Sequence, residues 1–425
     1  MHKSSRRSFL KQSALGIGMP MIIPASVLGL NGKVAPSNRV VIGGIGIGPR
    51  GRRVLTAFLK QPDCQFVATA DPQKGRREIL QRLARHYENM DCDAYDNMHD
   101  LLDRDDIDAV IIATGDRWHT TASIYAARAG KDIYCEKPCA MNMQECRELD
   151  EEILKQGRVF QAGTQRRSVG NFMLAKEMVS SGRIGKLRTV HAGILQLRDY
   201  LQPLPAEPEP DPAIIDWDRW VGPAPKLPFN INYCKGRWRD HKGLYAAYRL
   251  PEWGAHTIDL CQWAAEADGT APVEYEAEGT TIRAKYASGV ELVMRLAGFK
   301  NEGDWIEGIG SCPVRFEGDD GWVEAGDFER IEASDPKLLE GTSFEPVAGV
   351  DPIHHARNFL DCVKSREKPV CNSSVTRSSH IVCFAAATSW KLGRKLKFDP
   401  VTETFPNDEE ANKLLDYKRR KPYTI

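Results

Sequence analysis

The chain has 425 residues, of which 42% are hydrophobic and 27% charged, a composition typical of a globular protein with room for two domains. Lysine plus arginine equals aspartate plus glutamate at 58 each, so no global charge favours nucleic acid or an anionic membrane as a partner. The eleven cysteines are scattered and form no C-x-x-C pair, which argues against a disulfide framework or a zinc site. We therefore predict no bound metal.

Residues 1–35 have the layout of a twin-arginine export signal and linker. Arg6 and Arg7 precede Ser-Phe-Leu-Lys and an apolar stretch that extends to about Leu30. Pro20 and Pro24 interrupt this stretch and disfavour a stable membrane-spanning helix. We predict export of the folded protein to the periplasm by the twin-arginine machinery; a signal that is not cleaved would instead anchor the protein to the membrane.

A short apolar run after Arg39 leads into the pattern Gly46-x-Gly48-x-x-Gly51. The pattern is typical of a strand that feeds a glycine turn, in which two glycines let the backbone approach a pyrophosphate and the third lets the next helix pack closely. That helix, predicted from about residue 50 to 60, would direct its free N–H groups at the phosphates. The residues of this turn predicted to bind a cofactor are Gly46, Ile47, Gly48, Arg50 and Gly51.

The next predicted strand, residues 65–70, ends at Asp71. Asp71 follows Gly51 at the distance where a dinucleotide site places an acid on the adenosine ribose hydroxyls. Its charge would repel a 2′-phosphate, which favours NAD over NADP, although Arg76 and Arg77 are close enough in sequence to contact such a phosphate.

Two further apolar strands are predicted over residues 107–113 and 132–135, and polar residues follow each of them. In a doubly wound sheet the carboxyl ends of the strands face the ligand crevice. After the first strand, Thr114, Trp118 and His119 are cofactor-side candidates, although for His119 a purely structural hydrogen bond is an equal alternative. After the second, Glu136 and Lys137 are held in the same crevice by the turn at Pro138.

From residue 187 onward the alternation of strands and helices gives way to consecutive strand patterns. They cover residues 188–195, 275–283, 291–296 and 314–316, which indicates an open, largely antiparallel sheet. We predict an α/β fold with a parallel dinucleotide-binding domain at 36–155 and a second α/β domain at 156–425. Residues 201–228 carry eight prolines together with Trp217 and Trp220, which predicts a long ordered arm.

A helix is predicted over residues 250–263, with Glu252, His256 and Asp259 on one stripe. A carboxylate one turn from an imidazole can raise its pKa and orient it, so that it accepts a hydroxyl proton near neutral pH. Two alternatives are a buried histidine with a structural partner and a metal site; the metal site is the weaker one, because the remaining ligands are unaccounted for.

These motifs together resemble the Gfo/Idh/MocA oxidoreductases. The resemblance rests on the glycine pattern at 46–51, on Glu136-Lys137-Pro138 and on the spacing from Glu252 to Asp259, and it covers the chain from about residue 37 to the end. The leader, the segment 216–225 and the tail 392–400 are similar to an exported bacterial branch of that family.

The resemblance implies NAD(P)-dependent hydride transfer at a sugar or polyol carbinol, with Lys137 and His256 at the reacting centre. The family usually has aspartate where this chain has Glu252. Gln165 resembles a position at the cofactor, and Arg166 and its neighbour Arg167 resemble positions that bind a substrate hydroxyl or carboxylate, although as strand-end arginines they could equally be solvated. Asp259 is a further substrate-side candidate.

Three further expectations concern partners and alternative activities. The compartment supplies little free dinucleotide, so we expect a tightly bound cofactor, and the family resemblance implies a homo-oligomer. The same fold hosts NAD-dependent glycosidases that oxidise, eliminate and reduce again with no net redox, and fold alone does not choose between these activities. A noncatalytic sugar-binding protein is the third alternative.

Overall fold

The structure, a computed structural model, describes residues 34–296, 308–342, 348–415 and 418–425. The predicted export signal at residues 1–33 lies outside the described residues. Residues 40–425 form one compact unit that contains two sheets. Within the described part of the chain, no helix is long and apolar enough to cross a membrane.

The first sheet contains six parallel strands in the order β3-β2-β1-β4-β5-β6. Its strands are β1 (Val40–Ile45), β2 (Cys64–Ala70), β3 (Asp93–Tyr95), β4 (Ala109–Ile112), β5 (Asp132–Cys135) and β6 (Phe160–Ala162). The helices that alternate with them are α1 (Pro49–Leu59), α2 (Lys74–Glu88), α3 (Met98–Leu102), α4 (Asp116–Arg128) and α5 (Met143–Gln156). The predicted parallel dinucleotide-binding sheet is confirmed, and β6 completes it beyond residue 155.

Strands β4 and β5 are buried at every position, as expected for central parallel strands that helices cover on both faces. The strand order reverses between β1 and β4. Such a reversal opens a crevice outside the carboxyl ends of the strands, where ligands bind in doubly wound sheets. The fold therefore places the glycine turn after β1 and the segment after β4 on opposite sides of one crevice.

The second sheet contains eight strands in the order β13-β12-β11-β7-β10-β9-β8-β14. Its strands are β7 (Leu187–Ile194), β8 (Glu274–Glu278), β9 (Thr281–Lys285), β10 (Glu291–Leu296), β11 (Val314–Gly318), β12 (Trp322–Ala325), β13 (Ile331–Ala333) and β14 (Leu396–Lys397). Only β7 and β10 pair in parallel, so the prediction of a mostly antiparallel sheet is confirmed.

One predicted strand of this sheet is wrong in detail. Residues 275–283 form the hairpin of β8 and β9 instead of a single strand. The chain reverses at Gly279, which has a φ of +57°. Glycine adopts this left-handed backbone without a steric penalty, so it is suited to a tight hairpin turn.

The helices of the second half are α6 (Gly170–Ser180), α7 (Trp217–Val221), α8 (Leu250–Ala264), α9 (Ile353–Ser365), α10 (Ser373–Leu392) and α11 (Glu409–Lys413). The predicted helix over residues 250–263 corresponds to α8, which packs on β7. Helix α10 packs against both α8 and α5, and most of its residues are buried. It thereby connects the helical layer of the first sheet to that of the second.

The arm, residues 195–249, links β7 to α8. Its tryptophans are ordered as predicted: the rings of Trp217 and Trp220 stack with centroids 4.6 Å apart, and Phe229 and Tyr233 pack against them. These residues form a hydrophobic cluster separate from those of the two sheets. The arm therefore has a small core of its own, which keeps a proline-rich connection in one conformation.

Candidate active site

A cavity of about 760 Å³ opens at the carboxyl ends of β1, β2 and β4. This is the crevice where the strand order reverses, and its size is typical of a ligand site. The predicted cofactor residues that line it are Gly46, Gly48, Arg50, Asp71, Thr114 and Trp118.

The three glycines of the turn differ in what surrounds them. Gly46 has a φ of +65°, and a Cβ atom there would collide with Thr114. A Cβ at Gly51 would lie 2.7 Å from the Cβ of Ala113, whereas no atom lies within 4 Å of the corresponding point at Gly48. The face of Gly48 is therefore open where the first turn of α1 begins, and this turn fits a pyrophosphate. The side chain of Ile47 packs in the core instead of lining the cavity.

Asp71 lies at the end of β2 in the cavity wall. The backbone N–H of Gln73 donates to its carboxylate at 2.8 Å, and burial raises the pKa of Asp71 to about 6. Arg77 donates to the backbone carbonyl of Asp71 at 2.6 Å, while Arg76 lines the cavity. A carboxylate with one protein donor keeps acceptor capacity for two ribose hydroxyls, so this site fits the adenosine ribose.

The turn Glu136-Lys137-Pro138 is pinned from several sides. Arg50 donates to the buried carboxylate of Glu136 at 3.0 Å, and this charge raises the pKa of Arg50. The Nδ1 of His119 contacts the Pro138 carbonyl at 2.6 Å. The Cys139 N–H donates to Nε2 of His380 on α10 at 3.1 Å. These contacts restrict the conformation of the turn, and they thereby fix the direction of the Lys137 side chain.

The structure gives His119 the hydrogen bond of its structural interpretation. Helix α4 begins at Asp116, so Trp118 and His119 belong to its first turn. The Trp118 indole lines the cavity, whereas His119 does not. Burial lowers the pKa of His119 to about 4, and the neutral ring donates to the Pro138 carbonyl. The structural interpretation of His119 is the one supported.

Lys137 contacts helix α8 through Glu252. The Lys137 Nζ donates to the Glu252 carbonyl at 2.7 Å and lies 3.6 Å from its Oε1. The Tyr245 hydroxyl donates to Oε2 of the same carboxylate. The expected contact between Glu252 and His256 is not formed among the described residues, because the carboxylate is drawn to the lysine cation and to the phenol instead.

The environment of His256 differs from the one predicted. Its pKa is held well below the ordinary value, first by burial and then by the charges of Arg166, Lys137 and Arg50. The prediction that Glu252 raises the pKa of His256 is therefore wrong. Within the described residues, Nδ1 of His256 is buried and has no hydrogen-bond partner. The charge of Lys137 is thus one of the causes that disfavour the protonated form of the His256 imidazole.

Asp116 is a part of this cluster that the sequence analysis did not select. Burial, and next the negative charge of Glu252, raise the pKa of Asp116 to about 7, while the charge of Lys137 opposes the shift. The Ala246 N–H donates to its Oδ2 at 3.3 Å. The position of Asp116 just after β4, at the carboxyl end of a parallel strand, could have identified it from the sequence. Tyr245 had no such signal, because it precedes α8 by a few residues in an irregular segment.

The two predicted substrate residues have structural partners instead. Arg166 makes a bidentate pair with Asp327 at 2.9 and 2.6 Å. Both carboxylate oxygens of Asp259 accept from Arg167, at 2.7 and 2.9 Å. All four side chains are buried, so neither arginine is solvated, and a role of Arg166 or Asp259 in substrate binding stays a prediction. Gln165 donates to the Gly349 carbonyl at 3.3 Å.

Comparison with known protein families agrees with this geometry. A family model described as an NAD-binding Rossmann fold matches residues 38–164, and one described as the C-terminal alpha/beta domain of the same oxidoreductase family matches residues 200–425. The chain belongs to the Gfo/Idh/MocA oxidoreductase family. The family assignment confirms the resemblance found in the motifs.

Two relatives each align with about a third of this chain. The 2,7-anhydro-N-acetylneuraminate hydratase of Mediterraneibacter gnavus is 32% identical over 148 residues, which are 35% of this chain and 37% of the relative. The myo-inositol 2-dehydrogenase of Thermotoga maritima is 31% identical over 146 residues, or 34% and 42% of the two chains. The chain thus matches about two fifths of the length of each relative.

Solved structures of the family extend the likeness to both halves of the chain. The aldose-aldose oxidoreductase from Caulobacter crescentus superposes with a TM-score of 0.62 at 17% identity, covering 85% of this chain and 100% of that chain. At this identity the superposition shows that the two proteins share a fold.

The protonation of Asp71 predicts a pH dependence of cofactor binding. Asp71 is ionised above about pH 6, and protonation at lower pH removes a charged acceptor. We expect the affinity for NAD to fall as the pH drops through 6, and Asp71→Asn to bind about tenfold or more weakly at pH 8 without this dependence. Titration followed by tryptophan fluorescence measures both. Equal affinity of the variant, or tighter binding of NADP, would contradict the assignment.

The Arg167 ion pairs predict a stability effect. Arg167→Met leaves Asp259 buried without its partner and also removes the bonds to Asp268 at 2.6 and 2.7 Å. Breaking one side of a buried pair typically costs about 3–5 kcal/mol, so urea denaturation should show a loss of that order. The matched control is Arg188→Ala, which removes an exposed pair with Asp319 and should change stability little. Equal behaviour of the two variants would refute the structural role.

Proposed function

We propose that the protein is an NAD-dependent oxidoreductase that moves a hydride between a nicotinamide cofactor and a carbinol carbon of a sugar or polyol. The observation that carries the proposal is the buried Nδ1 of His256, which has no partner among the described residues, on the helix that Lys137 contacts; Arg50 ties the turn of Lys137 to the dinucleotide cavity. The open face at Gly48 and the acceptor capacity of Asp71 fit the cofactor. The nicotinamide ring, when bound, accepts or donates the hydride.

Lys137 stabilises negative charge on the substrate oxygen. Its ammonium has three donors, and the Glu252 carbonyl takes one of them at 2.7 Å. The remaining donors are available to the oxygen that loses its proton. Because the lysine is held by Glu252 before the substrate arrives, little reorganisation is needed as charge develops. Glu252 is therefore a positioning residue for Lys137 in this scheme.

His256 accepts the hydroxyl proton of the substrate. Burial and the surrounding cations keep its imidazole neutral, so a nitrogen lone pair is available. The same surroundings disfavour the imidazolium, so the proton is returned to the substrate oxygen when the reaction reverses. An imidazole in this environment can take up and release the substrate proton, as a site that catalyses both oxidation and reduction requires.

A second candidate is a reaction with no net redox, in which transient oxidation at the carbinol is followed by elimination or addition and then by reduction. A specific observation favours it: the relative from Mediterraneibacter gnavus is named a hydratase, and a hydratase exchanges water without net redox. The NAD-dependent glycosidase expected as an alternative belongs to the same class.

We further propose that the protein is exported to the periplasm by the twin-arginine route and that it is a homo-oligomer. The paired Arg6 and Arg7 before an apolar stretch support export. The resemblance to an exported branch of the family supports both points. The periplasm supplies little free dinucleotide. An enzyme that acts on a sugar there is therefore expected to keep its cofactor bound.

One assay separates the candidate functions. The purified protein is incubated with free sugars, polyols and glycosides while reduced nicotinamide absorbance and product release are followed together. Net oxidation supports the dehydrogenase, and its continuation past one turnover of bound cofactor requires an external acceptor. Product release without net reduction replaces it with the redox-neutral reaction. A protein that binds sugar but carries no cofactor and cannot be loaded with it is the noncatalytic alternative.

Substitutions test the separate roles proposed for Lys137 and His256. Lys137→Ala and His256→Ala should each lower kcat by about 10²–10⁴-fold, because each removes a group that acts on the substrate oxygen. NAD affinity should change little, because neither side chain lines the cavity. Lys155→Ala, on the exposed surface of α5, is the matched control. Unchanged turnover in Lys137→Ala would end this scheme.

A further inference from the structure

The dinucleotide cavity has an outer wall that comes from the arm. Arm residues that line it include Trp220, Tyr233, Lys235, Trp238 and Arg239. The inner wall is the glycine turn, the start of α1 and the segment after β2. A ligand in this cavity therefore lies between the first sheet and the arm.

The arm is fixed to the segment that follows Asp71. The Lys74 N–H donates to the Ile214 carbonyl at 2.9 Å, and the Asp216 N–H donates to the Pro72 carbonyl at 3.1 Å. Both bonds join backbone atoms, and both lie within three residues of Asp71, the predicted ribose acceptor. The arm is thus attached at the edge of the cavity itself.

Side chains attach the same part of the arm to the loop after β3 and to α4. Arg219 pairs with Asp96 at 2.5 Å, and both residues line the cavity. The Trp118 indole N–H donates to the Arg219 carbonyl at 3.0 Å. Gly222 packs so closely on Trp118 that a Cβ atom would collide with the indole. The start of α7 is therefore locked to the dinucleotide-binding sheet.

The C-terminal strap, residues 418–425, holds α7 from outside. Arg420 donates to the Asp218 carboxylate at 2.8 Å and to the Gly222 carbonyl at 3.1 Å. Its neighbour Arg419 pairs with Glu145 and Glu148 of α5, at 2.9 and 2.6 Å. Two consecutive arginines thus connect the arm to the first sheet's helical layer.

Tyr423 of the strap completes the wall. Its hydroxyl donates to the Asp218 carboxylate at 2.8 Å, its ring lies edge-on to Trp118 at 5.1 Å, and it lines the cavity. The strap therefore contacts the arm and also forms part of the cavity wall.

Four cations line this cavity, and two of them lie close enough to a carboxylate for their charge to act on it, Arg76 on Asp71 and Arg239 on Asp116. Arg53 and Arg76 come from the first sheet's side, and Lys235 and Arg239 come from the arm. Among the described residues, none of the four forms an ion pair within 4.0 Å. Like charges around one cavity repel each other, and an anion bound between them relieves the repulsion.

We propose that Lys235 and Arg239 are the outer half of an anion site that grips the diphosphate of the dinucleotide against the first turn of α1, and that the strap keeps this outer half in place. The inference rests on the proposed function, because it takes a nicotinamide dinucleotide as the ligand. The inference adds that the arm covers the bound cofactor, so that the cofactor dissociates only after the arm has moved away from the first sheet. Two sets of donors on opposite sides of the diphosphate make dissociation slow.

The anion site is tested with ligands that carry no reactive ring. ADP-ribose and adenosine are titrated into the full-length protein and into the double variant Lys235→Ala, Arg239→Ala. Charge-assisted hydrogen bonds are strong, so we expect ADP-ribose affinity to fall about 100-fold and adenosine affinity to stay unchanged. Arg237→Ala is the matched control: Arg237 is exposed in the same segment but does not line the cavity.

Each other outcome overturns the proposal in a recognisable way. If the double variant binds ADP-ribose as the unaltered protein does and instead loses kcat/KM for a charged substrate, the cations serve the substrate. If both ligands bind more weakly to the same extent, the variant has lost the arm as a whole. If the unaltered protein binds no ADP-ribose at all, the proposed function fails together with the inference.

The strap is tested by the rate of cofactor release. Bound NAD is displaced by excess ADP-ribose, and its release is followed by tryptophan fluorescence. Arg420→Ala should release NAD at least about tenfold faster, whereas Lys418→Ala, which alters an exposed residue of the strap, should not. Asp218→Asn weakens the same contact without removing the arginine, and it should show an intermediate rate. Equal release rates in all three variants would overturn this part of the proposal.

Discussion

The structure depends on one contact, in which the lysine that ends the parallel sheet meets the helix that covers the second sheet. Lys137 follows β5, and its Nζ donates to the Glu252 carbonyl on α8 at 2.7 Å. A buried ammonium loses its hydration, so acceptors must stand at fixed positions to replace it. The carbonyl and carboxylate of Glu252 meet that requirement. The two halves of the chain are thereby held in the arrangement that places Lys137 near His256.

Arginines held in ion pairs contribute to the electrostatics of this part of the structure. Arg50, Arg166 and Arg167 are each matched by a buried carboxylate, which offsets the cost of removing their charges from water. Such pairs are weak sources of stability, but they hold charge at defined points in a region of low dielectric. Arg50 and Arg166 lower the pKa of His256 from there. The network that joins the two halves therefore also keeps the imidazole neutral.

The arm gives this protein an enclosed cleft at a place where a parallel sheet by itself offers an open one. Its stacked tryptophans let it fold as a small unit, and backbone bonds at Pro72 and Lys74 attach it beside Asp71. The strap then connects it to α5 through Arg419 and Arg420. A wall on each side of the cleft excludes water from a bound ligand and strengthens the electrostatic interactions around it.

The sequence by itself determined the parallel sheet, the glycine turn, Asp71 and the end of β5, because strand, turn and helix follow one another along the chain and their spacing is local. Helical spacing also showed that Glu252, His256 and Asp259 share a face. It could not show what lies opposite that face. The partners came from far along the chain: Lys137 lies 115 residues from Glu252, and Arg167 lies 92 residues from Asp259. The arm is attached to the cavity edge by backbone hydrogen bonds, which have no side-chain signature, and by side-chain contacts between segments far apart in the chain, so only the tertiary structure decided it.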